Sequence, residues 1–454
     1  MLFFLIMLNT KTLKRITFLL LLTVFSIVEL SAQNKPAPLD KSEKKQVIES
    51  INKLLDEYYI SPDIAKKLIN QLSKNLETGV YDAITDPLEF ESKLDQDIRA
   101  VSKDYHFKVI FDADWVTDNR KAVSPQEKRE LLNKEFIEAK SNNFGFKDVR
   151  ILEGKVGYLH FTSFENPEWT AETLANAMNF LSNSDALIID LRNNVGGYAE
   201  LMQILCSYFF TANDVFVLPL VEINLRDKGK NIVIQQNVLT SVQGKKMLDA
   251  DLYILTNYRT FSAAEWTSFV LQNRKRATII GEKTIGGTHP ADRKIVSDRF
   301  SINIPFGTML DADTKTHFEG IGVKPDIEIP AKDALPTAQI VALERLAVKF
   351  PDKKANYEWH LQALRARRKP VSVSDETLKS YIGKYGIITL LWENGKLISL
   401  REGIKTELIP IAKDLFLLEG RDDVRFKILF ENDKTAGLER FFEDGRSLKT
   451  MKEK

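Results

Sequence analysis

The run Ala186-Leu187-Ile188-Ile189-Asp190-Leu191 constrains the fold more than any other stretch of this chain. It is apolar almost throughout and shows no alternation. A strand without a polar face is buried on both sides, as in a sheet covered by helices above and below. Neighbouring stretches fit that expectation. Residues 156–161, 252–255 and 277–280 read as strands, and residues 170–181 and the stretch from Ser262 read as helices. Gly196-Gly197 is expected to open a further helix, and residues 215–238 to form a hairpin. Residues 302–305 and 326–329 close the region, and 335–348 form its last helix. Strands alternating with helices predict an α/β core, here over residues 151–350.

The flanks differ from this core. Val47, Ile48, Ile51, Leu54, Leu55 and Tyr58 recur at helical spacing within residues 42–60. Ser61-Pro62 opens a second helix that stops at Gly79, and Asp86-Pro87 opens a third. These predict a helical N-terminal domain over 41–112, closing on Asp104-Tyr105-His106-Phe107 and a short strand. Residues 113–150, with a charged helix from Ser124, read as a linker or lid. After Pro370, short strands separated by Asn-Gly and Asn-Asp turns predict a small antiparallel, barrel-like β domain over 371–454. Nothing in it looks catalytic.

A chain of 454 residues, 44% hydrophobic and 28% charged, is long enough for two or three globular domains. Its net charge of +1, without basic clusters, gives no pull toward nucleic acid. At the N-terminus, Lys11, Lys14 and Arg15 precede an apolar run over 16–28, and Ser31-Ala32-Gln33 supplies small residues. This predicts a signal peptide over 1–33 and an exported protein, periplasmic or extracellular, tethered to the membrane if the segment stays uncleaved. No later stretch is apolar enough to span a bilayer. Cys206, the sole cysteine, rules out an intrachain disulfide and sits in an apolar helical pattern as a core residue. Five scattered histidines without ligand spacing predict no metal site, and no cofactor is expected.

Chemistry enters at Ser262-Ala263-Ala264-Glu265, after a strand and a polar turn. Ser-x-x-Glu alone is a capping box, with Glu265 as the cap's carboxylate. A serine on a strand-to-helix turn is also placed to act as a nucleophile. The second site segment is Asp190-Leu191-Arg192-Asn193-Asn194-Val195-Gly196-Gly197. Its glycine pair allows close backbone approach, and its N–H groups suit a developing oxyanion.

In this order follow Gly-Glu-Lys-Thr-Ile-Gly-Gly (281–287) and Glu-Gly-Ile-Gly-Val-Lys-Pro-Asp (319–326). The four segments resemble the tail-specific, or C-terminal-processing, serine peptidases, over about residues 41–346. The resemblance implies a ClpP/crotonase-like α/β core and polypeptide substrates. Gly287 stands where the Ser-Lys branch carries its lysine, Lys283 belongs to the shared segment, and the usual inserted PDZ domain is absent. Asp104-Tyr105-His106, Gly286-Gly287-Thr288-His289-Pro290 and Glu319-Gly320-Ile321-Gly322-Val323 resemble instead the tricorn-like and interphotoreceptor retinoid-binding-protein-like branch. That implies Ser262 as nucleophile, His106 as base, Glu319 as supporting acid, and the N–H groups of Ala263 and of Gly196 or Gly197 as the oxyanion site. His289 is the alternative base. His160 reads as a core histidine, His317 as a surface one, His360 as part of a charged helical segment outside the core, and Asp326 as a turn former. The implied activity is serine endopeptidase on unfolded or C-terminal segments. The alternative is a non-catalytic module for apolar ligands or peptides, the use that retinoid-binding relatives make of this fold. An esterase is disfavoured because Gly-x-Ser-x-Gly is missing. Substrate identity and oligomeric state are not written in the chain.

Overall fold

A computed structural model of the chain describes residues 36–120, 124–212 and 217–453. The expected signal peptide and the start of the expected hairpin lie outside these. Among the described residues no helix is long and apolar enough to cross a membrane. The described residues form two compact units, one of 36–120, 124, 224–232 and 289–308, the other of 125–212, 217–223, 233–288 and 309–453.

The first unit holds the three expected helices, Lys41–Tyr58, Pro62–Glu77 and Pro87–Ser102. Asp40 and Asp86 cap the first and third by accepting backbone N–H bonds. The apolar stripes of the helices pack on an antiparallel sheet ordered Lys108–Phe111, Phe300–Pro305, Ala291–Ile295. Buried Lys44 donates from Nζ to the carbonyls of Tyr81, Asp82 and Ile84, which satisfies its charge and staples the turn between the second and third helices. The third helix ends at Lys103, in the left-handed conformation at φ 55°. On that helix Glu91 and Asp95 grip the next strand: Asp95 accepts from Val109 N–H and Glu91 from Phe111 N–H. The short turn 104–107 is therefore held at both ends.

The second unit contains the α/β core. Its six-stranded sheet runs Ile327–Glu328, Ala277–Gly281, Asp251–Thr256, Ala186–Asp190, Val156–Phe161, Phe146–Leu152. Neighbours are parallel except the last pair. The central strand Ala186–Asp190 is buried at every position, as the sequence predicts. Alternate residues serve opposite layers. Leu187, Ile189, Leu252 and Ile254 pack under the helices Pro167–Leu181, Ala199–Ser207 and Ala263–Asn273. Ala186, Ile188, Tyr253 and Leu255 pack under Ala331–Lys349 and Lys354–Arg368. Cys206 is fully buried in the first layer, and burial pushes its thiol up to about 12.

Two expectations change here. The helix expected at Gly196-Gly197 starts at Ala199, because both glycines have positive φ, 82° and 136°, and belong to a turn. His360 is buried, not outside the core. It sits on Lys354–Arg368 with its Nε2 3.1 Å from Glu443.

The C-terminal region is an antiparallel meander of eight strands between Gly383 and Met451. Glu453 N–H donates to Lys384 O, so the first strand meets the residues after the last and the sheet nearly closes. The helix Lys354–Arg368 carries this sheet: Ala363 and Ala366 pack on Ile409 and Leu417, and Arg367 binds Asp422.

Candidate active site

Two turns at the carboxyl ends of adjacent parallel strands build the site in the second unit, the edge where α/β sheets hold ligands. The strand Ala186–Asp190 ends at Asp190, which is buried and accepts from Tyr158 Oη at 2.7 Å and from the Arg192 guanidinium at 2.5 Å. Arg192 also donates to Ala331 O. The Asp-Leu-Arg segment is thus a brace that fixes the direction in which the chain leaves the strand. Asn194 shapes the turn that follows. Its Nδ2 donates to Phe161 O, and its Oδ1 accepts from Gly196 N–H at 2.9 Å.

The turn after Asp251–Thr256 is stitched to this one. Asn257 exchanges hydrogen bonds with Asn193, Thr260 Oγ1 donates to Leu191 O, and Phe261 N–H donates to Asn194 O. A Cβ on Gly196 would lie 2.7 Å from Ser262 Cβ and 2.8 Å from Ala263 N, so only glycine lets the two turns touch. Of the three expected oxyanion donors, Gly196 N–H is taken by Asn194. Among the described residues no acceptor is found for the N–H of Gly197 or of Ala263.

Ser262 has φ 53° and ψ −121°, a strained conformation for a residue with a side chain. Ser262 and Glu265 form a capping box, in which Ser262 N–H donates to Glu265 Oε2 at 2.9 Å. Glu265 is more than the cap that the sequence predicts. Its carboxylate, fully buried, also accepts from Thr284 Oγ1 at 2.5 Å, Gly286 N–H at 2.7 Å and Gly287 N–H at 2.9 Å. Burial pushes it up to about 7 against the pull of these four donors. Thr284 Oγ1 in turn accepts from Val323 N–H. One carboxylate therefore ties the serine's backbone to the Gly-Gly segment and, through Thr284, to the loop carrying Glu319. Glu319 Oε2 accepts from Thr288 N–H at 2.6 Å and Thr288 Oγ1 at 2.9 Å. Asp326 accepts from Ile279 N–H and Gln272 Nε2 and is structural, and His317 is exposed.

The two candidate bases lie together in the first unit. Asp104, 1% exposed, has Oδ2 2.5 Å from His289 Nδ1 and Oδ1 3.4 Å from His106 Nδ1. Its Oδ1 also accepts from His106 N–H at 2.9 Å. Burial alone would raise this carboxyl, but the hydrogen bonds and charge of the two histidines hold it well below the usual carboxylate range. A carboxylate on Nδ1 favours the tautomer whose Nε2 can take a proton. In the sequence Asp104 stands in the Asp104-Tyr105-His106 motif with no role of its own implied. Its pairing with His289 spans 185 positions, which spacing alone does not reveal. His160 is half-buried on the strand Val156–Phe161.

Residues 155–329 match the model of peptidase family S41, and residues 40–139 match that of the N-terminal domain of peptidase S41 in eukaryotic IRBP. The carboxy-terminal processing protease CtpA of Bacillus subtilis is 28% identical over 193 residues, 40% of this chain and 37% of that protein. The carboxyl-terminal-processing protease of Synechocystis is 27% identical over 194 residues, 41% of this chain and 40% of that protein. The chain thus spans about two fifths of the length of these curated relatives. A solved lipoprotein from Streptococcus agalactiae superposes with a TM-score of 0.45 at 15% identity, covering 68% of this chain and 98% of that one. On the two family models, which fall on the helical region and on the α/β core, the chain belongs to peptidase family S41.

Proposed function

We infer that the chain is an exported serine endopeptidase that cleaves unfolded or C-terminal polypeptide segments. The observation that carries this reading is Ser262: a strained residue at a helix start, beside two backbone N–H groups for which no acceptor is found among the described residues. Ser262 Oγ attacks the peptide carbonyl. His106 takes the proton and returns it to the leaving amine, with Asp104 beside its Nδ1. The N–H groups of Gly197 and Ala263 hold the oxyanion, and Gly196 supplies the space. Glu319 is a positioning residue, since it grips Thr288 one residue before His289.

The test uses a fluorophosphonate probe and an unfolded protein substrate. Wild type is expected to label and cleave, and Ser262→Ala to do neither. Equal labelling of both without cleavage overturns the peptidase and leaves a binding module. His106→Ala is expected to lose turnover while keeping its fold, with a smaller loss in His289→Ala. The reverse order transfers the role of base to His289.

A further inference from the structure

The C-terminal sheet holds a cavity of about 290 Å³, separate from the residues assigned to catalysis. It is lined from six of the eight strands. The lining follows the two-residue period of one sheet face: Ser399 and Arg401, Val424 and Phe426, Arg440 and Phe442. This is the concave face, because the same alternation continues into the packed interior through Ile428 and Leu438. Inward positions of a small barrel are ordinarily apolar. Arg440 breaks that rule, on an inward position between Leu438 and Phe442 and directly across from Phe426.

The charges at this cavity are not balanced. Arg421 is bound by Asp423 and Arg401 lies 3.5 Å from Glu402. Among the described residues the Arg440 guanidinium has no acceptor; its Nε is buried without a hydrogen-bond partner, and no ion pair reaches it. Burial and the charge of Arg401 both lower its pKa, so the neighbourhood adds positive charge to a group already short of acceptors. The side chain is half-buried, and a buried Nε without a partner is an unfavourable arrangement that a bound acceptor would relieve. Around it Val424, Phe426 and Phe442 supply hydrocarbon, and Ser399, Thr406 and Arg401 supply polar groups. A cavity at the lower end of the size range for small-molecule sites, part apolar and with an excess of positive groups, is built as a ligand site is built.

We propose that this cavity binds a small organic carboxylate with an apolar body, its charge on Arg440 and Arg401 and its hydrocarbon against Val424, Phe426 and Phe442. Such a group comes from two sources, a free aliphatic acid or a polypeptide ending in an apolar residue with a free carboxylate. The planar fork of an arginine suits the two oxygens of either. The site is independent of peptide cleavage.

Calorimetric titration of the Ser262→Ala chain tests this without interference from turnover. The probes are decanoate, a pentapeptide ending in leucine with a free carboxylate, and their uncharged counterparts decanol and the amidated peptide. At least one carboxylate is expected to bind at one per chain, to raise the melting temperature, and to exceed its uncharged counterpart by tenfold or more. The probe that binds identifies the source. Arg440→Met, which keeps length and removes the charge, is expected to weaken binding at least tenfold without lowering the melting temperature of the free protein. Phe442→Trp, which fills the cavity, is expected to block it. Absence of saturable binding by both carboxylates, equal binding of decanol and decanoate, or undiminished binding by Arg440→Met overturns the proposal.

Discussion

Glu265 and Asp104 are both shielded from water, at 0% and 1% exposure, yet their surroundings push them in opposite directions. Glu265 is held by three backbone N–H groups and a hydroxyl, all neutral, and its carboxyl is raised to about 7. Asp104 is held by two imidazoles, and its carboxyl is lowered. Hydrogen bonds from neutral donors fall short of the loss of hydration, whereas partners able to carry charge exceed it. The difference fits the two tasks. Glu265 fixes backbone around Ser262 and only has to remain an acceptor. In the proposed mechanism Asp104 stands beside a group that changes charge during proton transfer, and its lowered carboxyl keeps it ionised meanwhile.

The largest effect is expected at the charged corner. Asp104→Asn removes the ionised partner of both histidines and favours the wrong tautomer. A loss in kcat/KM on the order of 10³-fold, with the fold retained by circular dichroism, is the expected result. Full activity would show that the histidines need no carboxylate. Next comes Glu265→Gln. The amide offers one oxygen in place of two and sets an NH2 group against an N–H donor. A fall in kcat of about 10²-fold, with little change in KM, marks a residue that positions the nucleophile. The accompanying loss of stability is about 2 kcal/mol for one unsatisfied buried donor.

The smallest effect sharpens the comparison most, because the two carboxyls give pH dependences of opposite sign. Glu265 titrates near 7 when folded and near 4.5 when unfolded, so between those values the folded state binds more protons. Its contribution to stability declines as pH rises from about 4.5 to about 7 and is level above that. Asp104 titrates lower when folded, so its contribution is present above pH of about 4 and is lost on acidification. Melting temperatures measured between about pH 3 and about pH 8 separate the two contributions. Glu265→Gln removes the decline toward neutral pH, and Asp104→Asn removes the acid loss. Parallel curves for both variants and wild type would erase the distinction.

Much of this architecture is legible in the sequence because it rests on period. The three N-terminal helices, the buried strand Ala186–Asp190 and the antiparallel C-terminal strands all follow from spacing and turn chemistry. The turn at Ser262 is legible too, since its serine and glutamate are three apart. What spacing hides is partnership over distance. Glu265 reaches Gly286 and Gly287 from 21 and 22 residues away, and Asp104 meets His289. Gly196 fails as an oxyanion donor because a side chain two residues earlier claims its N–H, a local competition that a glycine pair does not announce. Arg440 is hidden as well, since Leu438-Glu439-Arg440-Phe441-Phe442 does not alternate and only the pairing with Phe426 turns it inward.

The backbone at Ser262 also bears on how such a protein can lose its chemistry. At φ 53° and ψ −121° a side chain is a burden that glycine lacks, on the order of 1 kcal/mol or more. Exchanging the proposed nucleophile for glycine would therefore remove the proposed function and relieve the turn together. Inactivation runs downhill in stability, so a catalytically dead descendant of this fold has no thermodynamic reason to return. Selection for a stable scaffold alone favours the silent form, and the serine is kept only where its hydroxyl is used.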